Sequence, residues 1–402
     1  MTRLLLMESG SFSTRGGGSA KDTYQLYRHL REKAGYSIDV FADFEPFEKG
    51  IEHIGLEKLL GSDYDIILMN SIRDAIVVRR YVRLHGRSAK ILYIDRVAAV
   101  THYYSSPSRR LFSRVMRPAG DLAGVERHVN SITRATNAQM FKSIRDFGAK
   151  SYALSLLADM RSWLDCYVGI NAEMASQAKR YFSGRTRIVY IPIAPHDQFV
   201  VRHERKSGAA IAVGRLEESQ KKFSFLLKGL RRVLALHPEL AGRELVRVCG
   251  TGPDSATYSA ITARLGIRRN VRFMGYVPED KLVRQYNASS FMVSTSEWEG
   301  LSHTFMEAMA CGIPVLANSK NNSIISYRQV RRIVTEGSNG MVYRYGDVDD
   351  FAEKFYRLYS NPKLCAALGR RANIYVRRTF SREKMLAKYD SLLRSLGRSP
   401  PK

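Results

Sequence analysis

The chain is poor in cysteine. Its 402 residues hold four, Cys166, Cys249, Cys311 and Cys365, far apart and with no C-x-x-C pair. That spacing argues against a disulfide framework and against a cysteine metal site. It predicts buried free thiols in a reducing cytoplasm. Long apolar runs are missing too: no window of eighteen or more apolar residues occurs, so no transmembrane helix is expected. The opening MTRLLLMESGSFS has no extended apolar region and no small-residue cleavage site, so it reads as a first buried strand and not as a signal peptide. There is no internal repeat, and low complexity is confined to RSPPK at the C-terminus. Acidic residues are scarce: 38 Asp+Glu stand against 64 Lys+Arg, a net charge of +26. The excess is uneven, with 13 Lys/Arg against 3 Asp/Glu in residues 351–402 and 9 against 3 in residues 101–150. Such a surface attracts nucleic acid, anionic lipid headgroups or phosphorylated substrates, and charge alone does not choose among them.

What is present is an ordinary 45% of hydrophobic residues, enough for a substantial core. The length predicts two domains. Apolar runs read as strands at residues 4–7, 37–41, 65–69, 90–94, 166–169 and 187–191. They alternate with helical patterns, which argues α/β with parallel sheets. A long, mostly helical stretch is expected over residues 106–159. Residues 195–208 (PHDQFVVRHERKSG) are polar and read as a linker. The alternation then restarts, with strands expected at 209–213, 245–248, 271–273, 291–293 and 315–317.

The richest segment is STSEWEGLSHTFMEAMACGIPV, residues 294–315. Glu299 and Glu307, with seven residues between them, flank a glycine-containing turn and a helix start. Ser302 is placed to cap that helix, and Phe305, Ala308 and Met309 give it an apolar face. Backbone N–H groups at a helix start attract anions. A carboxylate beside them repels phosphate but accepts hydrogen bonds from hydroxyls. The combination suits a ligand with both groups, such as a nucleotide-sugar.

This E-x7-E spacing, followed by EAMACGIPV, resembles the signature of the family 4 retaining glycosyltransferases. The resemblance implies the GT-B fold: two Rossmann-like α/β domains facing each other across a cleft. Residues 1–200 would form the acceptor-binding domain and residues 201–380 the nucleotide-sugar-binding domain, with about 380–402 packing back on the first. It implies a nucleoside diphosphate sugar as donor and a glycan or lipid-linked acceptor. Arg215, after the strand AAIAV, and Lys221 would bind the diphosphate, and Lys222 falls where the family commonly has Gly. Glu299 would bind the transferred sugar and Glu307 the ribose. The donor would also meet Gly17 and Gly18 of the loop 16–18, Gly252, Val277 near the base, and Leu301, Ser302, His303 and Thr304 at the helix start. Three departures from the family pattern stand out. The strand at 90–94 is followed by Asp95-Arg96 where family members often carry His. The loop SKNNSIISYRQVRRIV is long and basic. No D-x-D pair occupies a metal-binding position: Asp63 and Asp65 precede a strand, and Asp347–Asp350 read as a helix cap. No metal and no other cofactor is therefore expected.

Residues 109–117 (RRLFSRVMR) interleave basic and apolar residues, which suits an anionic membrane surface and equally a core helix with a basic outer face. The expectation is a cytoplasmic enzyme, peripheral on the inner face of the membrane, in cell-envelope polysaccharide or glycolipid synthesis. A sugar-phosphate synthase or phosphorylase of the same fold is the alternative. A nucleic-acid-binding protein is not expected, since no recognition motif accompanies the charge.

Overall fold

The structure is a computed structural model. It describes residues 1–11, 18–33, 35–44, 51–71, 74–95, 159–182, 184–297, 299, 301–319 and 333–397. Gly16, Gly17, Arg96, residues 109–117, most of the expected helical stretch 106–159 and most of the basic loop after residue 319 lie outside the described residues.

The chain divides into two units. The first comprises Met1–Pro192 and Leu386–Lys402, the second Ile193–Met385. In the first unit the strands are β1 (Thr2–Ser11), β2 (Tyr36–Phe44), β3 (Ile66–Met69), β4 (Lys90–Asp95), β5 (Cys166–Gly169) and β6 (Arg187–Tyr190). They form one parallel sheet in the order β2-β1-β3-β4-β5-β6. Helices α1 (Gly18–Arg31), α2 (Leu56–Leu60), α3 (Asp74–His85) and α4 (Ala172–Tyr181) connect them. Strands β3 and β5 are buried along their whole length, as a parallel sheet covered on both faces requires. Leu5, Met7, Ile67, Tyr81, Tyr93 and Tyr167 belong to the core between sheet and helices.

In the second unit β7 (Ala210–Val213), β8 (Val246–Cys249), β9 (Val271–Gly275), β10 (Phe291–Val293), β11 (Val315–Asn318) and β12 (Gly340–Tyr343) form a parallel sheet in the order β12-β11-β10-β7-β8-β9. The chain runs β7-β8-β9 outward, then returns to place β10 on the other side of β7. The reversal lies between β7 and β10, which are paired directly. Open α/β sheets bind ligands outside the carboxyl ends of the strands at such a reversal. The helices are α5 (Glu218–Lys221), α6 (Phe223–Leu236), α7 (Ser255–Arg264), α8 (Glu279–Ala288), α9 (His303–Ala310), α10 (Val348–Tyr359), α11 (Pro362–Thr379) and α12 (Arg382–Gly397). Helix α12 starts within the second unit and ends in the first.

Residues 195–208 are not a solvated linker. Phe199 and His196 are buried, and the Asn287 side chain bonds Val200 O at 2.9 Å and Arg202 N at 2.7 Å. The apolar residues inside the polar run supply anchors, and the pairing satisfies backbone groups that would otherwise stay in water. Asp347 caps α10, accepting from the backbone N–H groups of Asp349 and Asp350. Asp63 and Asp65 precede β3. All four cysteines are free and buried, and burial pushes their thiols up to about 12, so they stay protonated and inert at neutral pH.

Candidate functional site

The reversal between β7 and β10 places two loops side by side. Gly214-Arg215 leaves β7, and residues 294–297 leave β10. Lys221 ends the one-turn helix α5, and its ammonium lies 2.5 Å from Glu299 Oε1. Both side chains are largely sheltered, at 13% and 14% exposure. The Lys221 stem runs over Gly214, where a Cβ would meet Lys221 Cε at 3.1 Å. Any larger residue at 214 would crowd the lysine.

Two contacts join these loops, and two more brace the loop after β10. Thr295 Oγ1 donates to Lys221 O at 2.8 Å, and Glu297 N donates to Gln220 O at 2.7 Å. From the other side, Asn318 Nδ2 donates to Ser296 O at 2.8 Å and the Tyr343 hydroxyl to Ser294 O at 3.1 Å. Sequence reading missed these supporting residues. Each is a single polar side chain at a strand end, and nothing local distinguishes it.

Arg215 follows β7 as expected, but its side chain is 69% exposed and pairs with Glu217 at 3.3 Å, while Glu299 pairs with Lys221. Lys222 adopts the left-handed conformation, φ 50° and ψ 42°, between α5 and α6. It is the one non-glycine residue with positive φ among the described residues. A glycine would take that conformation without steric cost.

Glu307 is buried inside α9 and accepts from the Tyr286 hydroxyl at 3.0 Å. Burial, reinforced by the Glu307 carboxylate, holds that hydroxyl's pKa well above its ordinary value. Tyr286 therefore stays a neutral donor and fixes the orientation of Glu307. At the start of α9, Leu301 and Ser302 are buried, while His303 and Thr304 are half-buried. Ser302 occupies the N-cap position, but its side chain makes no capping bond. Its hydroxyl lies 3.0 Å from that of Thr304 instead, so capping of α9 by Ser302 is corrected. The other end closes at ACGIP: Gly312 has φ +75°, with Gly312 N bonded to Met309 O and Ile313 N to Ala308 O, the pattern of a glycine-terminated helix.

Gly252, expected to meet the donor, also has a packing role within the fold. A Cβ there would meet Leu216 O at 2.3 Å, so the missing side chain admits the neighbouring loop. Leu216 N bonds Thr251 O, Gly214 N bonds Cys249 O, and Gly250 N bonds Gly275 O. These bonds join the loops after β7, β8 and β9 into one ledge. Val277, half-buried, follows on its last loop. In the first unit, Gly18 is the first residue of α1. Asp95 ends β4, fully buried, and accepts from the Tyr167 hydroxyl at 2.7 Å. Among the described residues, no group of three or more His, Cys, Asp or Glu is placed to hold a metal.

Residues 195–374 match the family model "Glycosyl transferases group 1". Among curated proteins, the chain is 27% identical over 209 residues to a lipopolysaccharide 1,6-galactosyltransferase of Salmonella typhimurium, covering 50% of this chain and 55% of that protein. It is 29% identical over 189 residues to a D-inositol 3-phosphate glycosyltransferase of Kribbella flavida, covering 44% and 42%. The chain thus spans about half the length of these relatives. Among solved structures, sucrose-phosphate synthase of Thermosynechococcus elongatus superposes with a TM-score of 0.69 at 16% identity, covering 98% of this chain and 99% of that one. Anabaena HepE in complex with UDP-glucose gives 0.68 at 14% identity, covering 98% and 100%. The fold is that of the GT-B glycosyltransferases.

Proposed function

We propose that the chain is a retaining glycosyltransferase that moves a sugar from a nucleoside diphosphate sugar to a glycan or lipid-linked acceptor. The observation that carries this reading is the sheltered Lys221–Glu299 pair at the strand reversal, beside the start of α9. A cation, a carboxylate and a helix N-terminus within one small region match the three parts of such a donor. Arg215 and Lys221 hold the diphosphate, Arg215 by its planar fork and Lys221 as a point charge. Glu299 accepts from hydroxyls of the transferred sugar, and Glu307, oriented by Tyr286, accepts from the ribose. The loop at Gly275–Val277 faces the base.

In the reaction the bond from the anomeric carbon to the diphosphate oxygen breaks, and the bond to the acceptor oxygen forms on the same face of the sugar. The leaving diphosphate takes the acceptor's proton, so no protein nucleophile is needed. Negative charge grows on the leaving group, and Arg215, Lys221 and the N–H groups at the start of α9 oppose it. Those cations supply the positive charge, and no metal takes part. The acceptor belongs to cell-envelope polysaccharide or glycolipid synthesis, on the inner face of the cytoplasmic membrane. The similarity to a lipopolysaccharide galactosyltransferase and the basic surface support that setting. No helix among the described residues is long and apolar enough to cross a membrane, so the association proposed is peripheral.

The test is a panel of nucleotide-sugars scored by thermal stabilisation. A ligand that binds only the folded state raises the melting temperature by mass action, so one donor should stand out. A flat response across UDP-, GDP-, ADP- and dTDP-sugars would overturn the reading.

A further inference from the structure

We infer that His196 is a positioning residue that ties the base-facing loop to the first turn of the donor helix. The inference rests on the donor placement proposed above.

His196 sits on the segment that enters the second unit and is 6% exposed. Its Nδ1 lies 2.8 Å from Glu279 Oε1. A carboxylate oxygen is the acceptor in this bond, so Nδ1 carries the hydrogen. Glu279 is the first residue of α8, two positions beyond Val277. At a helix start its carboxylate is favoured by the backbone dipole, which fixes the end of the base-facing loop. The imidazole also packs beside His303, with ring centroids 6.2 Å apart, and His303 opens α9. Phe199, fully buried, flanks the same ring at 6.4 Å.

One imidazole thus touches the two segments that must grip opposite ends of a nucleoside diphosphate. Burial shields its bond to Glu279 from competing water, so the bond is stronger than at the surface. Holding the loop in place before the ligand arrives removes an ordering cost from binding. The base end of the ligand should feel this clamp, and the phosphate end should not.

The experiment is calorimetry on the full chain with UDP, GDP and ADP, and with inorganic pyrophosphate as a probe that has no base. His196→Phe keeps a ring for packing and loses the N–H. His196→Asn keeps a donor near the position of Nδ1. His196→Phe should weaken the cognate nucleotide about tenfold or more, the loss of one hydrogen bond to a charged group. Pyrophosphate affinity should stay within about twofold, and His196→Asn should restore the nucleotide to within about threefold of the parent. Glu279→Leu should reproduce His196→Phe, and the double variant should be no worse than either, as expected of one shared contact. Unchanged nucleotide affinity in His196→Phe would overturn the inference. So would equal losses of nucleotide and pyrophosphate, or failure of both His196→Phe and Glu279→Leu to fold, since either marks a purely structural pair. Failure of the parent protein to bind any nucleotide would instead remove the donor assignment itself.

Discussion

At the scale of single residues, neighbouring lysines have opposite fates. Lys221 pairs with Glu299, and Lys222 is held in a left-handed turn. Arg215→Ala and Lys221→Ala should each lower turnover by at least ~10²-fold, the range for lost charge stabilisation of a leaving group. Lys222→Ala should do much less. Lys222→Gly should stabilise the fold by on the order of 1 kcal/mol by removing the left-handed penalty, read as a shift in urea midpoint. An essential Lys222 beside a dispensable Lys221 would show the phosphate role to be misassigned. The two glutamates should separate as well. Glu307→Ala should weaken both donor and free nucleoside diphosphate, because ribose is common to them. Glu299→Ala should reduce transfer and leave the free nucleotide nearly as tightly bound. Calorimetry with the free nucleotide decides, and equal losses would remove the division of roles. The spacing and its flanking segment single out both glutamates as candidates. The contact between Lys221 and Glu299 was not legible, because 78 positions separate them and only the strand order brings them together.

At the scale of elements, α9 depends on how it ends. Gly312→Ala forces a Cβ into a left-handed residue, 3.0 Å from Val201. The expected cost is about 1–2 kcal/mol, seen as a lower urea midpoint, and an unchanged midpoint would contradict the geometry. Helix α11 bears on the proposed membrane association. It contains no acidic residue, and Lys363, Arg370, Ile374 and Arg378 are exposed on one side, Ile374 at 58%. Arg371 and Arg377 are engaged with backbone carbonyls. Replacing Lys363, Arg370 and Arg378 by Ser should weaken sedimentation with anionic liposomes on the order of 10²-fold, at about 1 kcal/mol per cation. The parent's binding should fall as salt rises. Absence of binding at low salt to strongly anionic vesicles would sink the membrane proposal and leave the transfer reaction untouched. Short apolar runs were readable: β5 (CYVG) and β10 (FMV) have the bounds expected. Strand β12 (GMVY) was missed, since it opens on a glycine and is placed in the sheet by its pairing with β11. Residues 195–208 misled for the converse reason. Their composition is that of a solvated loop, but Phe199 and His196 anchor them.

At the scale of the whole molecule, the proposed chemistry takes its positive charge from side chains. Transfer should therefore persist in excess chelator, and complete loss restored by Mg²⁺ or Mn²⁺ would reveal a metal requirement. The division into units has a further consequence. Helix α12 closes the first unit at its strand starts. The Tyr36 hydroxyl donates to Asp390 at 3.3 Å, Arg187 donates to Ser395 at 2.8 Å, and Gly397 packs beside Thr2 and Ile66. These four partners begin β2, β6, β1 and β3. On the ribosome, all of Ile193–Met385 is made before that helix emerges, a delay of about 10–40 s at ordinary elongation rates. The unit begun first is finished last. Until then Ile66 and the starts of β1, β2 and β6 lack these contacts, so the newborn chain should need a chaperone more than the mature protein does.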